Sequence, residues 1–244
     1  MLTQKVSVIT GASQGLGKEI AKKLAAEGSY VVLLARTESL LKKLVAEIQS
    51  NGGIASYVIC DIRDRIQVAS AVSEVIARHD HIDILVNNAG IWTDNKIDDK
   101  DPERKHVALE TNTLGPIQMI HEVLPHMKKK RSGHILNVIS TAAVSDTPSG
   151  DNRDWQTYGA TKWALRGFTK DLKNSLEGTG IKVSGLYPGG FESNLYQNAG
   201  HKASLAHSQP WMMKTEDVAD LIIFCLTRPK DMLIETLVAT KFTE

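Results

Sequence analysis

The stretch Val6-Ser7-Val8-Ile9-Thr10-Gly11-Ala12-Ser13-Gln14-Gly15-Leu16-Gly17 decides the fold. Its first five residues form a short apolar run, and helical periodicity begins directly after the glycines, with Ile20 and Leu24 on one face. Glycines at such a junction permit a tight turn and a close backbone approach, and the N–H groups at a helix amino terminus suit a phosphate. The spacing GxxxGxG departs from the GxGxxG usual in dinucleotide folds, and three glycines in a turn could simply serve tight strand-to-helix packing. Its place after the first strand of a β-α-β unit favours a nucleotide pyrophosphate.

Outward from this unit, short apolar runs alternate with longer amphipathic segments. VSVIT (6–10), YVVLLA (30–35), IASYVI (54–59), IDILVN (82–87), HILNVIS (134–140), KVSGLY (182–187) and MLIETLVA (232–239) read as strands. Segments 15–27, 37–50, 64–78, 102–130, 155–178 and 215–227 carry helical periodicity, as in Leu40, Leu41, Leu44 and Ile48. Strands that are β-branched and apolar on both sides, alternating with helices, imply a parallel sheet covered on both faces. The expected class is therefore α/β: a single Rossmann-like, doubly wound domain over residues 1–244, with about seven parallel strands. The long irregular stretches, 91–101 and 189–214, follow strands four and six. Ligands of open α/β sheets bind beyond the carboxyl ends of strands, so both are expected pocket walls, and 189–214 is expected to be a substrate lid.

Composition narrows the partners. A net charge of +1 over 244 residues gives no global positive field for nucleic acid or a membrane surface, so neither is expected. The run Lys128-Lys129-Lys130-Arg131 reads as a solvated helix carboxyl terminus. Cys60 and Cys225 are flanked by apolar residues and read as reduced core thiols; with no Cys/His cluster at ligand spacing, no metal site is expected. No stretch of about 20 apolar residues occurs, and the amino terminus lacks the pattern of a signal peptide, so a cytoplasmic protein is expected.

Two further positions carry chemistry. The second strand ends in Leu34-Ala35-Arg36-Thr37, with no acid where a free ribose 2′-hydroxyl would need one. A guanidinium there can grip a 2′-phosphate, which favours NADP (as NADPH) over NAD, although Glu38 follows and Arg36 could be an ordinary solvated loop residue. Tyr158 and Lys162 stand four residues apart on one helical face, where an ammonium favours the phenolate and makes Tyr158 a candidate general acid/base.

With these residues in order, the chain resembles the short-chain dehydrogenase/reductase family over essentially its whole length. The segment from Thr10 to Gly17 resembles that family's cofactor turn, which implies cofactor contacts by Gly11, Ser13, Gln14, Gly15, Leu16 and Gly17. Arg36 and Thr37 match its ribose-reading position, Asp61 with Ile62 its adenine contact, and Asn88-Ala89-Gly90 in NNAG its signature after the fourth strand. Asn112, Ser140, Tyr158 and Lys162 match its catalytic residues, and Tyr158 and Lys162 are also expected to touch the cofactor. Pro188, Gly189, Phe191 and Ser193 resemble the turn that holds the nicotinamide carboxamide. Ser140 and Tyr158 stand 18 residues apart, more than is usual in the family, with Thr147 to Asp154 as the apparent insertion; Ser193 replaces a threonine.

The resemblance implies reduction of a ketone or aldehyde, reversible as alcohol oxidation. Ser140 and Tyr158 would hold the carbonyl oxygen, Tyr158 would give the proton, Lys162 would bias it, and Asn112 would order a water chain. The alternative is an NADP-binding redox sensor or scaffold that catalyses nothing. Phe191, Tyr196, Trp211, Met212, Met213 and Trp92 suggest an apolar or aromatic substrate, or else a lid packed on the core or on a neighbouring subunit. His201 and His207 read as solvated loop residues. Trp163, Leu165, Phe168 and Leu172 spread over more than one face of their helix, which with the resemblance implies a homodimer or homotetramer.

Overall fold

A computed structural model describes residues 2–93, 102–144, 156–195 and 209–242. Strands β1 (Val6–Thr10), β2 (Tyr30–Ala35), β3 (Ile54–Ile59), β4 (Ile84–Asn87), β5 (Gly133–Val138), β6 (Ile181–Pro188) and β7 (Thr236–Ala239) form one sheet in the order β3-β2-β1-β4-β5-β6-β7. Every pairing is parallel, with Val8 opposite Val32 on one side and Leu85 on the other. The helices are α1 (Gly15–Ala26), α2 (Glu38–Ser50), α3 (Arg65–His79), α4 (Pro102–Leu109), α5 (Gly115–Lys130), α6 (Gln156–Ser175) and α7 (Thr215–Leu226).

The period of two along each strand sorts the core into two layers. Ile9, Leu33, Val86 and Leu136 pack with α1, α2 and α7, whereas their neighbours Val8, Val32, Leu85 and Ile135 pack with α3 and α5. Burial on both faces explains the continuous apolar runs in the central strands. The rule stops at the edges: β3 and β7 have one free side each, and Ile54, Ile59 and Val238 are exposed there.

One long helix was expected over 102–130, but α4 and α5 are separated by a π-helical turn, Glu110–Leu114. Pro116 supplies the reason. It has no N–H to donate four residues back to the carbonyl of Asn112, so the α-helical ladder cannot pass through unchanged. The fourth and seventh strands, Ile84–Asn87 and Thr236–Ala239, are shorter than their apolar runs.

Asp83 ties the lower end of the sheet together. Its buried carboxylate accepts from the Val6 N–H at 2.9 Å, Lys130 Nζ at 2.9 Å and Lys5 Nζ at 3.1 Å. Burial pushes this carboxyl up, but Lys130, the Val6 N–H and Lys5 outweigh it, and the net displacement is downward. Cys60 and Cys225 are free and buried, and burial pushes their thiols up to about 12 and about 11, as inert core residues require.

Asp83→Ala is expected to cost about 1–3 kcal/mol at neutral pH, discounted because the two lysines are partly solvated. A carboxyl held below its ordinary value stabilises the fold above that value and loses the effect as pH falls through its lowered value. Denaturant unfolding should therefore show the gap between variant and parent narrowing in acid.

Candidate active site

Two chain reversals open a cleft of about 710 Å³ above the carboxyl ends of the strands. Gly11 (φ +65°) turns the chain out of β1 where a Cβ would lie 2.8 Å from the Ala89 Cα. Gly15 (φ +54°) opens α1, and a Cβ there would meet nothing within 4 Å. Gln14, the residue before α1, makes no side-chain cap, so the first-turn N–H groups are left for an anion. Thr10 braces this turn: its Oγ1 accepts from the backbone N–H groups of Asn88 and Ala89, both at 3.1 Å. In return, Asn88 Nδ2 donates to the Thr10 carbonyl at 3.0 Å.

Nearly every expected cofactor residue lines this cleft. Gly11, Ser13, Gln14, Gly15 and Leu16 form its floor, Arg36, Thr37, Asp61 and Ile62 one end, and Asn88, Ala89 and Gly90 its middle. Pro188, Gly189, Phe191 and Ser193 form the opposite wall. Gly17 is not among the lining residues. It packs the helix onto the turn, and a Cβ there would collide with the Gly11 carbonyl and Asn88 Nδ2.

Ser140, Tyr158 and Lys162 meet in the same cleft. Lys162 Nζ lies 5.7 Å from the centroid of the Tyr158 ring and donates to the Val138 carbonyl at 3.2 Å. Lys162 is only 4% exposed, and burial pushes its pKa down to about 8. Glycine at 90 leaves room beside it, since a Cβ there would stand 3.6 Å from Nζ. Ser140 Oγ accepts from the Ala142 N–H at 3.1 Å, which leaves its own proton to donate. Trp92 leans on Tyr158 with ring centroids 4.6 Å apart.

Asn112 sits in the π-helical turn and does not line the cleft. Its Oδ1 accepts from the Ile91 N–H at 2.8 Å, and its Nδ2 donates to the Ile91 carbonyl at 2.9 Å and to Thr161 Oγ1 at 3.1 Å. Thr161 in turn donates to the Tyr158 carbonyl at 2.7 Å. Thr10, Thr161 and Arg63 carry contacts that the sequence did not assign to them, although each adjoins an expected residue: Thr10 precedes Gly11, Thr161 precedes Lys162, and Arg63 follows Ile62.

A profile described as short chain dehydrogenase matches residues 5–204. The chain belongs to that family. An uncharacterized oxidoreductase of Staphylococcus epidermidis is 31% identical over 228 residues, 93% of this chain and 92% of the relative. Among solved structures, an alcohol dehydrogenase from the archaeon Thermococcus sibiricus, complexed with 5-hydroxy-NADP, is 27% identical with TM-score 0.86, over 98% of this chain and 99% of that one. The closed form of a serine dehydrogenase complexed with NADP+ is 27% identical with TM-score 0.87, over 97% and 94%. This member of the short-chain family is accordingly an NAD(P)-dependent oxidoreductase.

The expected lid residues divide. Phe191 lines the cleft, Met213 joins the core beside α7, and Trp211 covers Gly190, whose Cβ would strike its ring. Tyr196, His201, His207 and the insertion at 147–154 lie outside the described residues. Among the described residues no helix is long and apolar enough to cross a membrane, and no group of three or more His, Cys, Asp or Glu could hold a metal.

Burying a charged Lys162 costs stability, and the sign is checkable. Its folded pKa lies below that of an exposed lysine, so the cost is full at neutral pH and fades as pH rises from about 8 towards 10.5. Lys162→Met is expected to be more stable by about 2 kcal/mol at pH 7, with the gain shrinking by pH 10 in denaturant titrations.

Proposed function

We propose that this enzyme reduces a ketone or aldehyde with NADPH, Tyr158 donating the proton. The convergence of Tyr158, Lys162 and Ser140 in the cleft onto which the uncapped start of α1 opens carries this reading. The cofactor fits the residues present: Gly15 leaves open space at the helix start, and Gly90 keeps the cleft clear beside the ammonium. When bound, NADPH supplies the hydride.

The chain's own groups supply the rest. Ser140 Oγ, fixed by the Ala142 N–H, donates to the substrate oxygen, and Tyr158 Oη gives its proton to that oxygen as charge develops there. Lys162, still mostly protonated at neutral pH, lowers the cost of the phenolate left behind. Asn112 acts as a positioning residue: its amide, committed to Ile91 and Thr161, holds the loop after β4 against the start of α6.

NADPH is favoured over NADH because Arg36 lines the cleft while Glu38 turns to Lys42 and Tyr57, both at 2.9 Å. Trp92 and Phe191 favour a substrate with an apolar or aromatic portion. Exposed Leu109, Leu114 and Trp163, near one another in sequence or on α6, support assembly into a homodimer or homotetramer.

Tyr158→Phe is expected to cut turnover by about 10²- to 10⁴-fold and to leave NADPH affinity within about threefold. Loss of NADPH absorbance with a panel of ketones, aldehydes and diketones, beside fluorescence titration of the cofactor, measures both. Full activity in the variant would remove Tyr158 from the chemistry; cofactor binding by the parent with no turnover on any carbonyl would favour a sensor.

A further inference from the structure

Three charged side chains crowd the ribose end of the cleft: Arg36, Asp61 and Arg63. Among the described residues, the Asp61 carboxylate is engaged at short range by Arg63 alone. Arg63 Nε donates to both carboxylate oxygens at 3.0 Å, its Nη2 to Oδ2 at 2.6 Å, and its backbone N–H to Oδ1 at 3.0 Å. Arg36 stands further off, with Nη1 4.0 Å from the same Oδ2 and two thirds of its side chain exposed. The two guanidiniums thus flank one carboxylate, one locked and one loose.

We propose that Arg63 is a specificity-determining positioning residue, which neutralises Asp61 so that Arg36 is left to receive the 2′-phosphate of NADP. This rests on the NADP reading of the same cleft. A phosphate at Arg36 lies beside the Asp61 carboxylate, and without Arg63 that acid both repels the phosphate and draws Arg36 to itself as its nearest cation. The planar guanidinium clamp uses the lone pairs that would otherwise reach Arg36. The hydrogen bond from Arg63 holds the Asp61 carboxyl below its ordinary value, so the acid is ionised at neutral pH and must be neutralised by a partner rather than by a proton.

The second nearby acid is treated the same way. Glu38, at the start of α2, is held by Lys42 and by the Tyr57 hydroxyl, and it does not line the cleft. On the far side, Glu103 of α4 and Glu110 of the π-helical turn act on Arg63 and help keep its charge in place, while Glu110 pairs with His106 at 3.2 Å. Both carboxylates that could have favoured a free 2′-hydroxyl are therefore diverted to other cations, and Arg36 remains the weakly engaged one.

The experiment compares dissociation constants for NADPH and NADH, by ligand fluorescence at low ionic strength, in the parent, Arg63→Gln and the double variant Asp61→Asn/Arg63→Gln. Arg63→Gln is expected to lower the preference for NADPH by about tenfold, through weaker NADPH binding with NADH within about threefold. The double variant is expected to recover most of the preference, because the uncompensated charge is gone; any lost adenine contact affects both cofactors alike and cancels in the ratio. An unchanged preference in Arg63→Gln, or an equal loss for both cofactors, overturns the proposal. A lowered preference that the double variant fails to restore also overturns it, since Arg63 would then act on the phosphate directly. A parent that prefers NADH overturns the NADP reading itself, and that result is visible before any variant is measured.

Discussion

A parallel sheet cannot turn back on itself by a hairpin, so every strand must be followed by a crossing on one face or the other. In this chain β1 to β3 build outward in one direction and β4 returns to the far side of β1, so the segments leaving β1 and β4 diverge to opposite faces. The crevice between them is the only consequence of topology that the chemistry needs, and much of the local sequence serves to keep it open and rigid. Thr10 Oγ1 accepting two backbone N–H groups from Asn88 and Ala89, with Asn88 Nδ2 returning to the Thr10 carbonyl, rivets the two strand ends. Gly11 and Gly17 let the backbones meet there at distances that a side chain would forbid.

Over that crevice the protein holds a charge it would be more stable without. Lys162 is desolvated enough to fall to about 8, and among the described residues one hydrogen bond, to the Val138 carbonyl, ties its ammonium. Such a site persists only if its surroundings are fixed independently. The Asn112 amide, bonded to both sides of the Ile91 peptide and to Thr161, and the Thr161 hydroxyl, bonded to the Tyr158 carbonyl, provide that fixation. The π-helical turn that presents Asn112 precedes Pro116, so a missing backbone donor and the amide that binds Ile91 and Thr161 share one local defect.

At the opposite end of the cleft the problem is one of distribution. Acids and bases stand close together at the ends of β2 and β3, and what matters for a ligand is which of them remain unspent after pairing among themselves. Arg63 with Asp61, and Lys42 with Glu38, are engaged at hydrogen-bonding distance, whereas among the described residues Arg36 has a long contact, 4.0 Å from Asp61. The local distribution of charge is set by this pairing pattern rather than by net charge, which is close to neutral over the whole chain.

The parallel α/β class, the seven strands and the glycine turn were all legible along the chain, because each depends on local periodicity or on short spacing, and Ser140, Tyr158 and Lys162, singled out along it, line one cleft. The break in the 102–130 helix was marked by Pro116 but went unread, since a proline near a helix start is also compatible with continuation after a new beginning. Tertiary structure alone decided that Gly17 packs and does not line the cleft, that Asn112 spends its amide on Ile91 and Thr161, and that Met213 belongs to the core. It alone paired Asp61 with Arg63 and left Arg36 loose. The reason is common to these cases: a sequence specifies which groups can donate, accept or carry charge, but which partner each one meets depends on distances between segments brought together only when the sheet closes over its two layers of helices.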